Sequence, residues 1–184
     1  MKSIIAHQTG SSTEHSTLNS YKKPGANGAH FLISKTGIIF QTASVFYKTQ
    51  HVGPIKARCM AEFTCTPAET IAYKKMGPSA MHAAEMKKPL PERYASNSES
   101  IGVEIVGRAN LPPHKPMPKG LTDVQQRRFF DEHSVYEPLT GAQQLSFKYL
   151  IGELLETFTL KKADVFRHPT VSRKNATEAA TAEW

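Results

Sequence analysis

Apolar and polar positions alternate or cluster in ways that predict a sheet-forming first half and a long helix near the end. Ser3 to His7 is a short apolar run ending in the polar tripeptide His7-Gln8-Thr9, with Gly10 as a breaker; it reads as a buried strand. Thr13 to Tyr21 has the length and polarity of a short surface helix, and Pro24 to Gly28 is a turn-rich link. Residues 30–43 hold two arms rich in β-branched and aromatic residues around Lys35-Thr36-Gly37, which predicts a β-hairpin. Ser100-Ile-Gly-Val-Glu-Ile-Val-Gly107 predicts a central strand with Ile101, Val103 and Ile105 on one face and Gly102, Glu104 and Val106 on the other.

Thr140-x-x-Gln143 is a capping-box start for the clearest helix. Leu145, Tyr149, Leu150, Leu154, Leu155 and Phe158 follow as its expected apolar stripe. Thr66-Pro67-Ala68-Glu69 is a second helix start. Residues 52–66 read as a loop, 77–98 as mostly irregular, 108–120 as a proline-rich loop, and the tail from Asp164 onward as irregular. Together these elements predict an α/β fold. It is one domain over 1–184, with a central mixed β-sheet flanked by α-helices and a loop-rich insertion at about 52–98.

Composition narrows the class. Apolar residues make up 39% of the 184 positions and charged residues 21%, a globular balance. The net charge of +7 favours polyanionic partners, including carboxylate-rich cell wall. The basic residues are dispersed and form no nucleic-acid-binding motif, so no nucleic-acid partner is expected. Ile4-Ile5-Ala6 is too short for a secretory signal core, and no segment is long enough to insert in a membrane. Cys59 and Cys65 are spaced so that either free thiols or a disulfide is open to them.

Of the eight histidines, two stand out as sites of chemistry. His7 closes a buried strand, where α/β proteins often carry site residues, and His168 follows the long helix in a polar stretch with Glu178 ten residues on. Two imidazoles and a carboxylate are a suitable ligand set for zinc with one open position. Glu104 is a charge on a central strand, costly there unless paired or functional.

Several segments in order resemble the amidase_2 family, which includes peptidoglycan recognition proteins and N-acetylmuramoyl-L-alanine amidases. They are His7-Gln8-Thr9, Ala29-His30-Phe31-Leu32-Ile33, Gly37-Ile38-Ile39-Phe40-Gln41, His51-Val52-Gly53, Ser100 to Gly107, and His168 with Ser172-Arg173-Lys174. The resemblance implies an amidase-like fold and zinc held by His7, His168 and Glu178. It implies Glu104 as the catalytic base, and His51 and His30 as substrate-binding residues that line or support the cleft, His51 as a candidate substrate contact and His30, which shares a hairpin face with Leu32, as a buried, hydrogen-bonded histidine near the site. The family's Asp is replaced by Glu178, and the position of its oxyanion-steadying lysine is Ala176. Lys174, with Thr177 as a further hydrogen-bond donor, is the expected substitute. The implied reaction is cleavage between N-acetylmuramic acid and L-alanine in peptidoglycan or muropeptides.

Asn19-Ser20-Tyr21, Gly28 to Ile33, His51-Val52-Gly53, Arg58-Cys59 and Phe166-Arg167-His168-Pro169 resemble amidases delivered as antibacterial effectors by type VI secretion. That implies synthesis in the cytoplasm without a Sec signal, action in a target cell's periplasm, and an immunity protein as partner. A muropeptide-recycling amidase and a non-catalytic peptidoglycan-binding module are the competing expectations.

Overall fold

The computed structural model describes residues 1–184. Six strands form one mixed sheet: β1 (Ser3–Gly10), β2 (Phe31–Ile33), β3 (Ile39–Gln41), β4 (Ser100–Asn110), β5 (Val135–Tyr136) and β6 (Val165–Arg167). The order is β3-β2-β4-β1-β6, and β5 pairs with the end of β4. The β2, β4, β1 and β6 strands are mutually parallel, while β3 returns antiparallel to β2 as a hairpin. At the hairpin turn Gly37 has φ +85°, and a Cβ there would lie 2.8 Å from the carbonyl oxygen of Ala142. Only glycine meets both demands.

The two faces of the sheet are different environments, as strand alternation requires. One face carries Ile4, Ala6, Ile101, Val103 and Ile105. Helix α6 (Gly141–Thr157) covers it with Phe147, Leu150, Ile151 and Leu154, and the C-terminal tail adds Ala179 and Ala182. The other face carries Ile5, packed with Val52, Ile55, Tyr94 and Val171. This second face also presents His7 and Glu104.

The structure bears out the expected stripe of α6 at Leu150 and Leu154, which are buried, and at Leu155 and Phe158, which pack against the core, and corrects it at two positions. Leu145 and Tyr149 are 73% and 64% exposed, and the buried line is Phe147, Leu150, Ile151 and Leu154. Both lines repeat at helical spacing, so periodicity alone left the phase open. The buried Gln143 settles it: its side-chain amide donates to the Val106 carbonyl (2.7 Å) while its oxygen caps Thr140.

Stretches expected to be irregular also contain short helices. The insertion holds α2 (Arg58–Ala61), the expected α3 (Pro67–Lys74) and α4 (Pro78–Glu85). They are joined by fully buried Glu85, which accepts from Tyr73 Oη (2.5 Å) and the Arg58 N–H (3.1 Å) and pairs with Lys88 (2.9 Å). Cys59 and Cys65 form a disulfide beside this cluster. The tail contains β6 and α7 (His168–Val171), and the expected α1 spans Glu14–Tyr21 with Thr13 as its cap. The proline-rich loop starts later than expected, because β4 runs on to Asn110. Helix α5 (Asp123–His133) went unread, although Thr122-x-x-Gln125 is the same capping box that announces α6.

Candidate metal centre and active-site cleft

Register brings the ends of the chain together. His7 on β1 pairs with Glu104 on β4, and Ala6 pairs with Arg167 on β6. His168, the next residue after β6, therefore arrives beside His7. His168 lies just past the carboxyl end of β6, while His7 and Glu104 lie midway along β1 and β4.

The His7 and His168 Nδ1 atoms are 2.8 Å apart. Glu178 Oε1 lies 2.9 Å from His168 Nδ1 and 3.6 Å from His7 Nδ1. The three residues are buried. The far nitrogen of His168 lies 3.0 Å from the Val52 carbonyl oxygen. A carbonyl only accepts, so His168 carries its hydrogen on Nε2 and turns a lone pair toward His7 and Glu178. Donor atoms about 2.05 Å from one tetrahedral ion would stand about 3.3 Å apart. The three separations bracket that value, so the donors fit a small divalent cation such as zinc with modest adjustment.

Electrostatics follow burial and partners. Burial, with His168 nearby, lowers the His7 pKa to about 4, so His7 is neutral at pH 7. Burial pushes the Glu178 carboxyl up, while the His168 and His7 imidazoles beside it, when they carry a proton toward it, pull it down to about 2. Glu104 moves the other way: burial and the neighbouring Glu178 raise it to about 8. The two carboxyls are thus driven apart, one well below its ordinary value and the other up to near neutrality.

These groups line a polar cleft of about 1300 Å³. Lys174 is exposed on its wall, and its charge acts on both His7 and Glu104. Tyr136, which sequence reasoning missed, also lines it, and burial, followed by Glu178 and Glu104 beside its phenol, raises the phenol's pKa. A lone tyrosine on a two-residue strand leaves no periodic signal. From α5 come Arg128, Phe130, Asp131 and Glu132.

Three expectations are corrected. His30 is the buried, hydrogen-bonded histidine expected near the site but is no substrate contact: it donates from Nε2 to the Tyr47 carbonyl (2.9 Å), and its Nδ1 accepts from the Gly102 N–H (3.0 Å). It ties β2 to β4. His51 borders the cleft, but both its ring nitrogens have protein partners, His7 Nε2 (3.0 Å) and Ser100 Oγ (3.2 Å). The Thr177 hydroxyl bonds to Asn175 Oδ1 (2.6 Å) and accepts from the Tyr136 N–H (3.1 Å), so it is not a free donor to substrate.

Fold and cluster together define a class: an α/β domain with a three-donor, metal-suited centre and a second carboxylate on a mixed sheet. More specifically, the chain belongs to the Amidase_2 family, N-acetylmuramoyl-L-alanine amidase, whose model matches residues 1–180. A search of curated proteins gave no match. Among solved structures, AmpDH3 from Pseudomonas aeruginosa is similar with TM-score 0.56 and 16% identity, covering 93% of this chain and 51% of that one. The same protein in complex with anhydromuramic pentapeptide gives 0.55 and 15%, with the same coverage of 93% and 51%. AmiD from E. coli, in complex with anhydro-N-acetylmuramic acid-L-Ala-D-γ-Glu-L-Lys, gives 0.53 and 15%, covering 93% and 49%. The chain spans about half the length of these proteins.

Proposed function

We propose that the protein is a zinc-dependent amidase that hydrolyses the bond between N-acetylmuramic acid and L-alanine in peptidoglycan. The observation that carries this reading is the convergence of His7, His168 and Glu178 beside Glu104 in a chain of the Amidase_2 family. His7 and His168 through Nδ1, and Glu178 through a carboxylate oxygen, are the residues that hold the ion. When bound, zinc supplies Lewis acidity that polarises the amide carbonyl and acidifies water. Glu104 takes the proton of the attacking water and delivers it to the departing L-alanine amine. A dication nearby favours the charged form of Glu104, opposing the upward push of burial. The Tyr136 hydroxyl and the Lys174 ammonium supply donors to the carbonyl oxygen as negative charge develops there. The wide polar cleft suits a glycan-peptide substrate.

Mass spectrometry of digested sacculi tests the reaction. Free stem peptides that begin with L-alanine are the expected product; intact amide bonds after prolonged digestion would refute it.

The finer reading is an antibacterial effector acting in a target cell's periplasm, with an immunity protein protecting the producer. The Cys59–Cys65 disulfide supports action in an oxidising compartment. No helix is long and apolar enough to cross a membrane. Periplasmic expression should lyse cells while cytosolic expression is harmless; survival in both cases would count against the effector. A second reading, a recycling amidase acting on soluble muropeptides, is favoured by the anhydromuramyl peptides bound in the AmpDH3 and AmiD complexes. Faster turnover of soluble anhydromuropeptide than of sacculi would select it.

A further inference from the structure

We infer that His51 is a positioning residue that fixes the tautomer of His7 through a relay anchored at Ser100, and that Gly102 provides the space the relay needs. This rests on the metal-centre reading above and adds the part of the chain that presents His7 to the ion.

The argument counts hydrogens along a line of contacts. Ser100 Oγ donates its single hydrogen to the Ser96 carbonyl at 2.8 Å. Toward His51 Nε2, 3.2 Å away, it can therefore only accept. His51 then carries its hydrogen on Nε2 and has a bare Nδ1. That Nδ1 lies 3.0 Å from His7 Nε2, so His7 donates there. The remaining nitrogen of His7, Nδ1, is left as a lone pair facing His168 Nδ1 and Glu178. Each assignment forces the next, and the last delivers the form of His7 that a cation requires.

The surroundings hold the relay still. Asn97 Oδ1 accepts from the N–H groups of both His51 (3.0 Å) and Val52 (2.8 Å), which fixes the backbone that carries the ring. A Cβ on residue 102 would lie 2.7 Å from His51 Nδ1 and 2.8 Å from its Cγ, so any side chain there would push the ring off His7. Three alternate positions on one face of β4 thus divide the work. Ser100 sets the proton, Gly102 makes room for the imidazole, and Glu104 faces the reaction. His51 sits on the far side of the His7 ring from the donor cluster, and is not itself a ligand.

The test combines zinc affinity, by competition with a chromophoric chelator, and long-range ¹H–¹⁵N spectra of the zinc-free protein above pH 7. In the wild type, His7 and His51 should both show a protonated Nε2. His51→Leu, which removes the acceptor, should weaken zinc binding about 10–100-fold. His51→Gln, whose side-chain oxygen can accept from His7, should recover most of that loss. Ser100→Ala leaves both rings in place and should release the His51 tautomer, which the spectra read even where His51→Leu does not fold. A wild-type spectrum with the His7 proton on Nδ1 overturns the inference, as does a folded His51→Leu protein with unchanged zinc affinity. A wild type that takes up no zinc while showing the expected tautomers would instead overturn the metal-centre reading and leave the relay standing.

Discussion

Glu104 and Glu178 are both carboxylates in one cleft, yet their neighbours drive them in opposite directions. The imidazoles of His168 and His7, when protonated, pull Glu178 down to about 2, whereas burial first and the neighbouring Glu178 second raise Glu104 to about 8. On the proposed mechanism this difference separates ligand from base, and mutation should separate them too. His7→Ala or His168→Ala is expected to abolish stoichiometric zinc in elemental analysis and all activity, because three protein ligands rarely reduce to two without loss of the ion. Glu104→Gln is expected to keep zinc and the melting temperature while kcat falls about 10²–10⁴-fold. Near-normal turnover in that variant would remove Glu104 from the mechanism. These residues were legible in the sequence because each sits in an ordered motif. The partners of His51 were not, since a ring's hydrogen bonds depend on residues 44 and 49 positions away.

Helix α6 illustrates what an element's own pattern can and cannot say. Its start was readable from Thr140 and Gln143, since a capping box is a local device. Its buried face was readable in part: Leu150 and Leu154 are core as the stripe expects, whereas Leu145 and Tyr149 point to solvent. Phe147, fully buried against the sheet, should cost about 3–5 kcal/mol when changed to Ala, whereas exposed Leu145→Ala should stay within about 0.5 kcal/mol. Urea denaturation of the two variants checks the assignment; equal losses would contradict it. Helix α5 carried the same start signal and was still passed over, because its exposed, charged sequence has no apolar stripe for a periodicity reading to find. Its contribution is functional: it walls the cleft.

Across the whole molecule, loops that join distant elements are fixed by ion pairs whose effect depends on pH. Arg93 grips Glu99 with two hydrogen bonds (2.8 and 2.7 Å) just ahead of β4. That grip, with further bonds from Ser96, lowers the Glu99 pKa from 4.5 to about 2. A carboxyl lowered on folding stabilises the native state fully above its unfolded pKa, and the benefit is lost as pH falls from about 4.5 toward 2. Glu99→Gln should therefore destabilise the protein at pH 7 by up to about 3 kcal/mol and by progressively less in acid. Urea midpoints measured against pH for both proteins test this; a constant gap would refute it.

The order of motifs along the chain was enough for the α/β class and the central strand bearing Glu104, and it singled out His7, His168 and Glu178, which the fold brings together, because strand alternation, caps and side-chain chemistry are written locally. Only the tertiary structure decided which nitrogen of each imidazole faces the metal position, that His30 and His51 serve neighbours in place of substrate, and which face of α6 is core. Those outcomes depend on contacts between residues far apart in sequence, and strand register alone brings residue 7 against residues 104 and 168.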